Sequence, residues 1–170
     1  MAKARSSKRH GLSHLDAANK PTMVAVGAKA VSHRSAEAEA LVQLPAAVAL
    51  ALRRSGHRTR KGPVFDAAII AGVMAAKNTA SIIPFCHPLP LEHCNVDIAA
   101  SGARTLRVRC RVETHHKTGV EMEALMGATA AALTIYDMCK ALSHAISITG
   151  VRLLRKSGGR RNVGRRRSAS

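Results

Sequence analysis

Apolar and polar positions alternate most regularly over 106–113, where Leu106, Val108, Cys110 and Val112 interleave with Arg107, Arg109, Arg111 and Glu113. That period of two predicts a half-buried strand with one face in the core and the other basic and wet. A second strand is read over 95–100, joined to it by a hairpin turn at Ser101-Gly102. Val24 and Val26 alternate within 22–31 and predict a strand there as well. Ser35 reads as an N-cap, with Glu37 and Glu39 favouring the dipole of a helix running to Arg53, kinked or split at Pro45. Asp66 caps a second helix, DAAIIAGVMAAKN, whose apolar face holds Ile69, Ile70, Val73 and Met74. The three prolines of 82–91 exclude a regular helix or central strand and predict an ordered, irregular connection. A long helix over 120–142 and a strand over 145–154 follow.

The order strand, helix, helix, strand, strand, helix, strand is that of the split βαβ arrangement when the two early helices are taken as one crossover. The fold class is therefore α+β, ferredoxin-like, with a mainly antiparallel sheet and helices packed on one face. No internal repeat is visible. The 170 residues suit one domain, divided as a basic lead over 1–11, a folded domain over 12–159 and an Arg-rich tail over 160–170, both ends expected to be disordered.

Composition narrows the core and the partners. Aromatic residues make up 2% and Trp is absent, so the core is built from Ala, Val, Leu, Ile and Met. Twenty-seven Lys and Arg against 10 Asp and Glu leave a formal charge of +17, which points to a polyanion: nucleic acid, an anionic membrane surface or a phosphate-rich small molecule. Clusters lie at Lys3–His10, at Arg53–Lys61 and, with no acidic residue after Asp137, along the C-terminal end. No aromatics interleave with these runs, against a single-strand stacking platform. Cys86, Cys94, Cys110 and Cys139 show no paired framework and read as reduced thiols of a cytosol-like compartment. No apolar run reaches the length of a membrane span, and the first ten residues lack the apolar segment of a secretory signal.

The stretch KTGVEMEALMGATAAALTIYDMCK, 117–140, carries the most chemistry. A helix so rich in Ala, Leu and Met is normally buried, yet it holds Glu121, Glu123 and Asp137, three of the ten acidic residues, and closes on Lys140. Asp137 and Lys140 share a face. Glu123 lies roughly 40° from that face but about 21 Å away along the axis, so the two carboxylates serve separate sites or grip opposite ends of long sites completed by another subunit. From spacing alone, Asp137–Lys140 reads equally as a catalytic pair or as a structural ion pair. Cys86-His87-Pro88 and His93-Cys94 form a C-H-x5-H-C pattern without the spacing of structural zinc motifs, so no metal is assigned. His87 fits a pocket lining or a satisfied loop histidine, and His115-His116 a solvated loop. Lys156, beside Gly158-Gly159, suits a phosphate contact or the opening of the tail. No P-loop, dinucleotide fingerprint or nucleophile elbow appears.

KTGVEMEAL, LTIYDMCKAL, IAGVMAAKNTASIIPFCHPLPL, KGPV and VRLLRKSGG, in corresponding order, closely resemble the molybdenum cofactor biosynthesis protein C family, the cyclic pyranopterin monophosphate synthases. The resemblance runs over 12–159. It implies a lyase that converts a cyclised dihydroguanosine triphosphate to cyclic pyranopterin monophosphate and pyrophosphate, without a cofactor. It also implies a cytoplasmic homohexamer, a trimer of dimers, with active sites between subunits. By motif, Asp137, Lys140 and Lys156 match the catalytic residues. Phe85, Cys86, His87, Met122, Glu123, Glu121, Lys61 and Arg34 match the substrate-binding ones. The chain departs from the family pattern at Ala25, where M-V-D-V is usual, at Ile69 in place of an Arg, and at His116 in place of a Gly. The alternatives are a nucleic-acid-binding protein using the basic ends, which the resemblance makes the weaker reading, and a catalytically impaired relative.

Overall fold

The computed structural model describes residue 18, residues 20–159 and residues 161–164. The lead over 1–11 and most of the tail over 160–170 lie outside the described residues. In chain order the elements are β1 (Ser32–Gln43), α1 (Ala46–Arg54), the short ribbon β2 (Arg58–Thr59) and β3 (Gly62–Pro63), α2 (Val64–Lys77), α3 (Thr79–Ile82), β4 (His93–Ala100), β5 (Thr105–His116), α4 (Glu121–Cys139) and β6 (Ser147–Ser157). Four strands form one sheet in the order β4-β5-β1-β6, each neighbouring pair antiparallel. The class is α+β.

The largest correction to the sequence reading is β1. The helix expected over 35–53 is instead a central strand, flanked by β5 and β6, followed by a nine-residue helix whose N-cap is Pro45. Ala and Glu are good helix formers in isolation, but A-E-A-E also alternates with a period of two. Ala36, Ala38, Ala40 and Val42 are buried on the helix side, while Glu37 and Glu39 face the other way. Two neighbouring strands supply backbone hydrogen bonds along β1, and this pairing outweighs a propensity of tenths of a kcal/mol per residue. The strand expected over 22–31 is irregular chain.

Smaller differences follow the same logic. Asp66 stands in the first turn of α2, whose N-cap is Pro63. His115 and His116 end β5 rather than lying in a loop. Of the apolar face assigned to α2, Ile69 and Val73 pack on the core, but Ile70 and Met74 are 61% and 58% exposed. The residues that α2 buries are Val64, Ala68, Gly72 and Ala76, mostly small ones.

Smallness on this face has a purpose in packing. A Cβ on Gly72 would stand 2.8 Å from the carbonyl oxygen of Gly127, and one on Gly127 would stand 2.4 Å from Cys110 Sγ. The backbones of α2 and α4 therefore approach each other and the sheet closely, a contact that side chains would prevent. The opposite face of the sheet is ionic. Glu39 Oε1 accepts from Arg152 Nε at 3.0 Å and Nη2 at 2.6 Å, and Glu37 pairs with Arg155. Arg109 Nε lies 3.8 Å from Glu37 and 3.7 Å from Glu39.

Candidate active site

Two groups of charged side chains sit at opposite ends of α4. At its C-terminal end Asp137 is held between two ammonium groups, with Lys140 Nζ 2.8 Å from Oδ1 and Lys61 Nζ 2.6 Å from Oδ2. Lys61 donates a further bond, at 2.9 Å, to the Asp137 carbonyl oxygen. Lys140 is one helical turn from Asp137, whereas Lys61 arrives from the ribbon between β2 and β3. The hydrogen bonds from Lys140 and then Lys61 lower the Asp137 pKa to about 2, and Asp137 in turn raises that of Lys140. The three side chains are solvent-accessible, and the shifts of Asp137 and Lys140 keep both charged near neutral pH.

At the N-terminal end, Lys156 Nζ on β6 lies 2.5 Å from Glu121 Oε1. Arg34 on β1 is nearby and buried; it donates through Nε to the His116 carbonyl at 3.1 Å and through Nη2 to that of Lys117 at 3.4 Å, and its Nη1 reaches the Gly158 carbonyl. Gly158 makes this turn possible. Its φ is +78°, and a Cβ would collide with the His33 carbonyl. Lys156 is tied to the start of the tail, its backbone exchanging hydrogen bonds with Val163 at 3.0 and 3.1 Å.

Glu123, in the first turn of α4, is 4% exposed. Burial raises its pKa to about 7, and the neighbouring Glu121 charge adds to the effect against a bond from its own backbone N–H. Burial also raises the Cys86 thiol, and the Glu123 charge raises it further. His87 Nε2 is 2.9 Å from the Val24 carbonyl oxygen, and Lys117 Nζ is 2.7 Å from that of Gly27, so both hold the segment that precedes β1. Phe85, in the chain after α3, and Met122, in the first turn of α4, are exposed apolar residues.

The residues singled out from sequence thus divide into Lys61, Asp137 and Lys140 on one side and Arg34, Glu121, Lys156 with Glu123 and Cys86 on the other. Within one chain Lys156 does not join Asp137 and Lys140. About 21 Å of helix separates Glu123 from Asp137. Sequence reasoning alone had no signal for the Lys61–Asp137 or Lys156–Glu121 pairs, which close over 76 and 35 residues. It gave Lys117, the first residue of the 117–140 stretch, no role of its own. The C-H-x5-H-C residues do not assemble as a set: Cys94 Sγ lies 4.0 Å from Cys110 Sγ, and His87 turns to Val24. Among the described residues no three His, Cys, Asp or Glu side chains converge as a metal site.

Cation–carboxylate groups at both ends of one helix on an α+β sheet can neutralise a small anionic ligand. The chain belongs to the MoaC family, whose model matches residues 23–159. A protein of Xanthomonas oryzae pv. oryzae (strain MAFF 311018), named cyclic pyranopterin monophosphate synthase, is 55% identical over 163 residues, 96% of this chain and 97% of that one. Its namesake from Xanthomonas axonopodis pv. citri (strain 306) is also 55% identical, over 94% of this chain and 96% of its own. A molybdenum cofactor biosynthesis bifunctional protein of Synechocystis sp. is 46% identical over 88% of this chain, which corresponds to 44% of that longer protein.

Proposed function

We propose that this chain is a cyclic pyranopterin monophosphate synthase, a lyase of molybdenum cofactor biosynthesis acting on a cyclised dihydroguanosine triphosphate. The observation that carries the reading is the convergence of Lys61, Asp137 and Lys140, from two separate family motifs, on one accessible cluster. A cyclic monophosphate and pyrophosphate arise from a triphosphate when a hydroxyl of the substrate attacks the α-phosphorus. A new P–O bond forms, the bond to the departing pyrophosphate breaks, and the hydroxyl proton passes to a base.

The groups divide that work by their charge states. Asp137, with a pKa near 2, is a poor proton acceptor at neutral pH and serves to hold Lys61 and Lys140 in place. The two ammonium groups neutralise phosphate charge as it develops on the leaving group. Glu123, with a pKa near 7, is matched to taking up or giving back a proton at neutral pH. Lys156, with Arg34 and Glu121, completes the opposite end, while Phe85, Cys86, His87 and Met122 line the substrate's pterin-forming part.

Because one helix separates the two groups, the complete site joins the Asp137 end of one subunit to the Glu123 end of another, in a homohexamer arranged as a trimer of dimers. The exposed apolar side chains Ile70, Met74, Ile82 and Leu133 support burial against further copies. The strand order β6-β1-β5-β4, with crossovers through α1–α3 and through α4, supports the ferredoxin-like topology. Four free thiols suit a cytoplasmic setting. Among the described residues, no helix is long and apolar enough to cross a membrane. The catalytic domain is taken as 12–159.

The direct test is incubation of the purified chain with the cyclised triphosphate, following pyrophosphate release and pterin formation. Turnover is expected, with losses of at least about a hundredfold in Asp137→Ala and Lys156→Ala, the scale of removing one preorganised electrostatic group. Unchanged rates in both variants would exclude the assigned roles.

A further inference from the structure

β6 is an edge strand, and the side of it that faces away from β1 would otherwise present unpaired N–H and C=O groups. At Lys156 the chain closes that side itself. Residues 161–164 return past β6, and Val163 forms an antiparallel bridge with Lys156. Lys156 N–H donates to the Val163 carbonyl at 3.0 Å, and Val163 N–H donates to the Lys156 carbonyl at 3.1 Å. Both main-chain polar groups of this lysine are thus given to a residue that lies beyond the family match over 23–159.

A glycine lets the returning segment lie this close. Gly164 has φ +83°, and a Cβ there would stand 2.4 Å from the Leu154 carbonyl oxygen and 2.9 Å from Arg155 Cβ, so a larger residue would push the segment off β6. Side chains of facing residues on neighbouring strands share one face. Ala36, opposite Lys156 on β1, is buried on the helix side, so Ala36, Lys156 and Val163 stand in a row on the face that meets α4. The Lys156 side chain, whose Nζ reaches Glu121 of α4 at 2.5 Å, is therefore flanked by Ala36 on one side and by Val163 on the other. Its backbone and its side-chain direction both depend on Val163.

We propose that residues 161–164 are a strap that positions Lys156, with Val163 as the positioning residue and Gly164 as the residue that lets the strap close. This rests on the functional reading above, which places Lys156 in the reaction, and adds to it a residue that acts through that lysine. A reacting group misplaced by about 1 Å loses up to about a hundredfold in rate. Lys156 is still present when the strap is released, but its ammonium no longer stands where charge develops. The loss therefore falls on kcat more than on KM.

The test compares the full chain as wild type, Val163→Pro, Val163→Thr and Asn162→Ala, with circular dichroism and oligomeric state checked on each. Proline removes the N–H given to the Lys156 carbonyl. Threonine keeps both backbone bonds and nearly the same shape, and Asn162→Ala changes the adjacent side chain while leaving the bridge in place. Amine-selective labelling, read lysine by lysine in mass spectrometry, follows Lys156 without substrate. Val163→Pro should speed its labelling at least about threefold and leave Lys61 and Lys140 unchanged. In the same variant kcat for the cyclised triphosphate should fall about tenfold with KM within about twofold, whereas Val163→Thr and Asn162→Ala behave as the wild type does. In a Lys156→Ala background Val163→Pro should cost nothing further, because both changes act through one group. Unchanged labelling or unchanged kcat in Val163→Pro overturns the proposal, as does an equal loss in Asn162→Ala or in the Lys156→Ala background. Faster labelling of Lys156 in Val163→Pro, in a chain that does not turn over the cyclised triphosphate, would instead defeat the functional reading and leave the strap standing.

Discussion

Lys61 holds Asp137 twice, through the carboxylate Oδ2 at 2.6 Å and through the main-chain carbonyl at 2.9 Å. The carbonyl belongs to the last turn of α4, where acceptors lack partners within the helix. The lysine thereby closes a helix end and fixes a carboxylate at once. Because the second bond is to backbone, the position of Lys61 does not depend on the carboxylate alone.

Substitution at this pair should separate activity from stability. Asp137→Asn is expected to lower pyrophosphate release by two orders of magnitude or more while leaving the urea midpoint near pH 7 almost unchanged, since exposed pairs contribute little. The folded pKa is below the unfolded one, so the pair's small stabilisation is present above pH 4 and fades as pH falls toward 2. Urea titrations at descending pH, compared between wild type and variant, measure this directly. A variant with full turnover would contradict the assignment.

Glu123 works in the opposite sense. Its folded pKa, near 7, is above the unfolded value, so the native state holds a proton that the unfolded chain has released. Stability is then greatest below pH 4.5 as far as this group is concerned, and declines as pH rises toward 7, by at most about 3 kcal/mol. Glu123→Gln should flatten this decline and raise the urea midpoint at pH 8, while removing the neutral-pH limb of the activity profile. The same slope in wild type and Glu123→Gln would show that another group is responsible.

Packing between α4 and the sheet gives a prediction independent of catalysis. Gly127→Ala forces its Cβ onto Cys110 Sγ, at 2.4 Å before relaxation, and should cost about 1–3 kcal/mol. Adding Cys110→Ala removes the opposing atom, so the double variant should be more stable than Gly127→Ala alone. A double variant less stable than Gly127→Ala, in thermal or urea unfolding, would locate the strain elsewhere.

On the ionic face of the sheet, Glu39→Ala leaves Arg152 without its carboxylate and takes a neighbouring charge from Arg109, whose Nε is already buried without a hydrogen bond. A loss of about 1 kcal/mol is expected, because two hydrogen bonds to Arg152 are lost while both arginines remain partly solvated. Glu39→Gln, which keeps an acceptor oxygen, should lose less. Equal losses from Ala and Gln would show that the carbonyl acceptor contributes nothing here.

Much of this architecture is legible along the chain. The β5 alternation, its hairpin with β4, the long α4 and the irregular proline segment all follow from local pattern, because periodicity records which side of an element meets the core. The Asp137–Lys140 contact is legible too, since three residues of helix bring the pair together whatever surrounds them. The motifs also assign Lys61, Arg34, Glu121 and Lys156 to the proposed site, though not where each one stands.

Residue order by itself determined the class of fold, the helix bearing the acids and the excess of positive charge. Tertiary structure decided that the Ala/Glu segment is a central strand, that Lys61 meets Asp137 while Lys156 meets Glu121, and that Glu123 is buried deeply enough to titrate near neutrality. The division has one physical cause. Local periodicity acts over a few residues, whereas strand pairing, ion pairing across the fold and desolvation depend on partners dozens of residues away, whose arrival only the closed chain arranges.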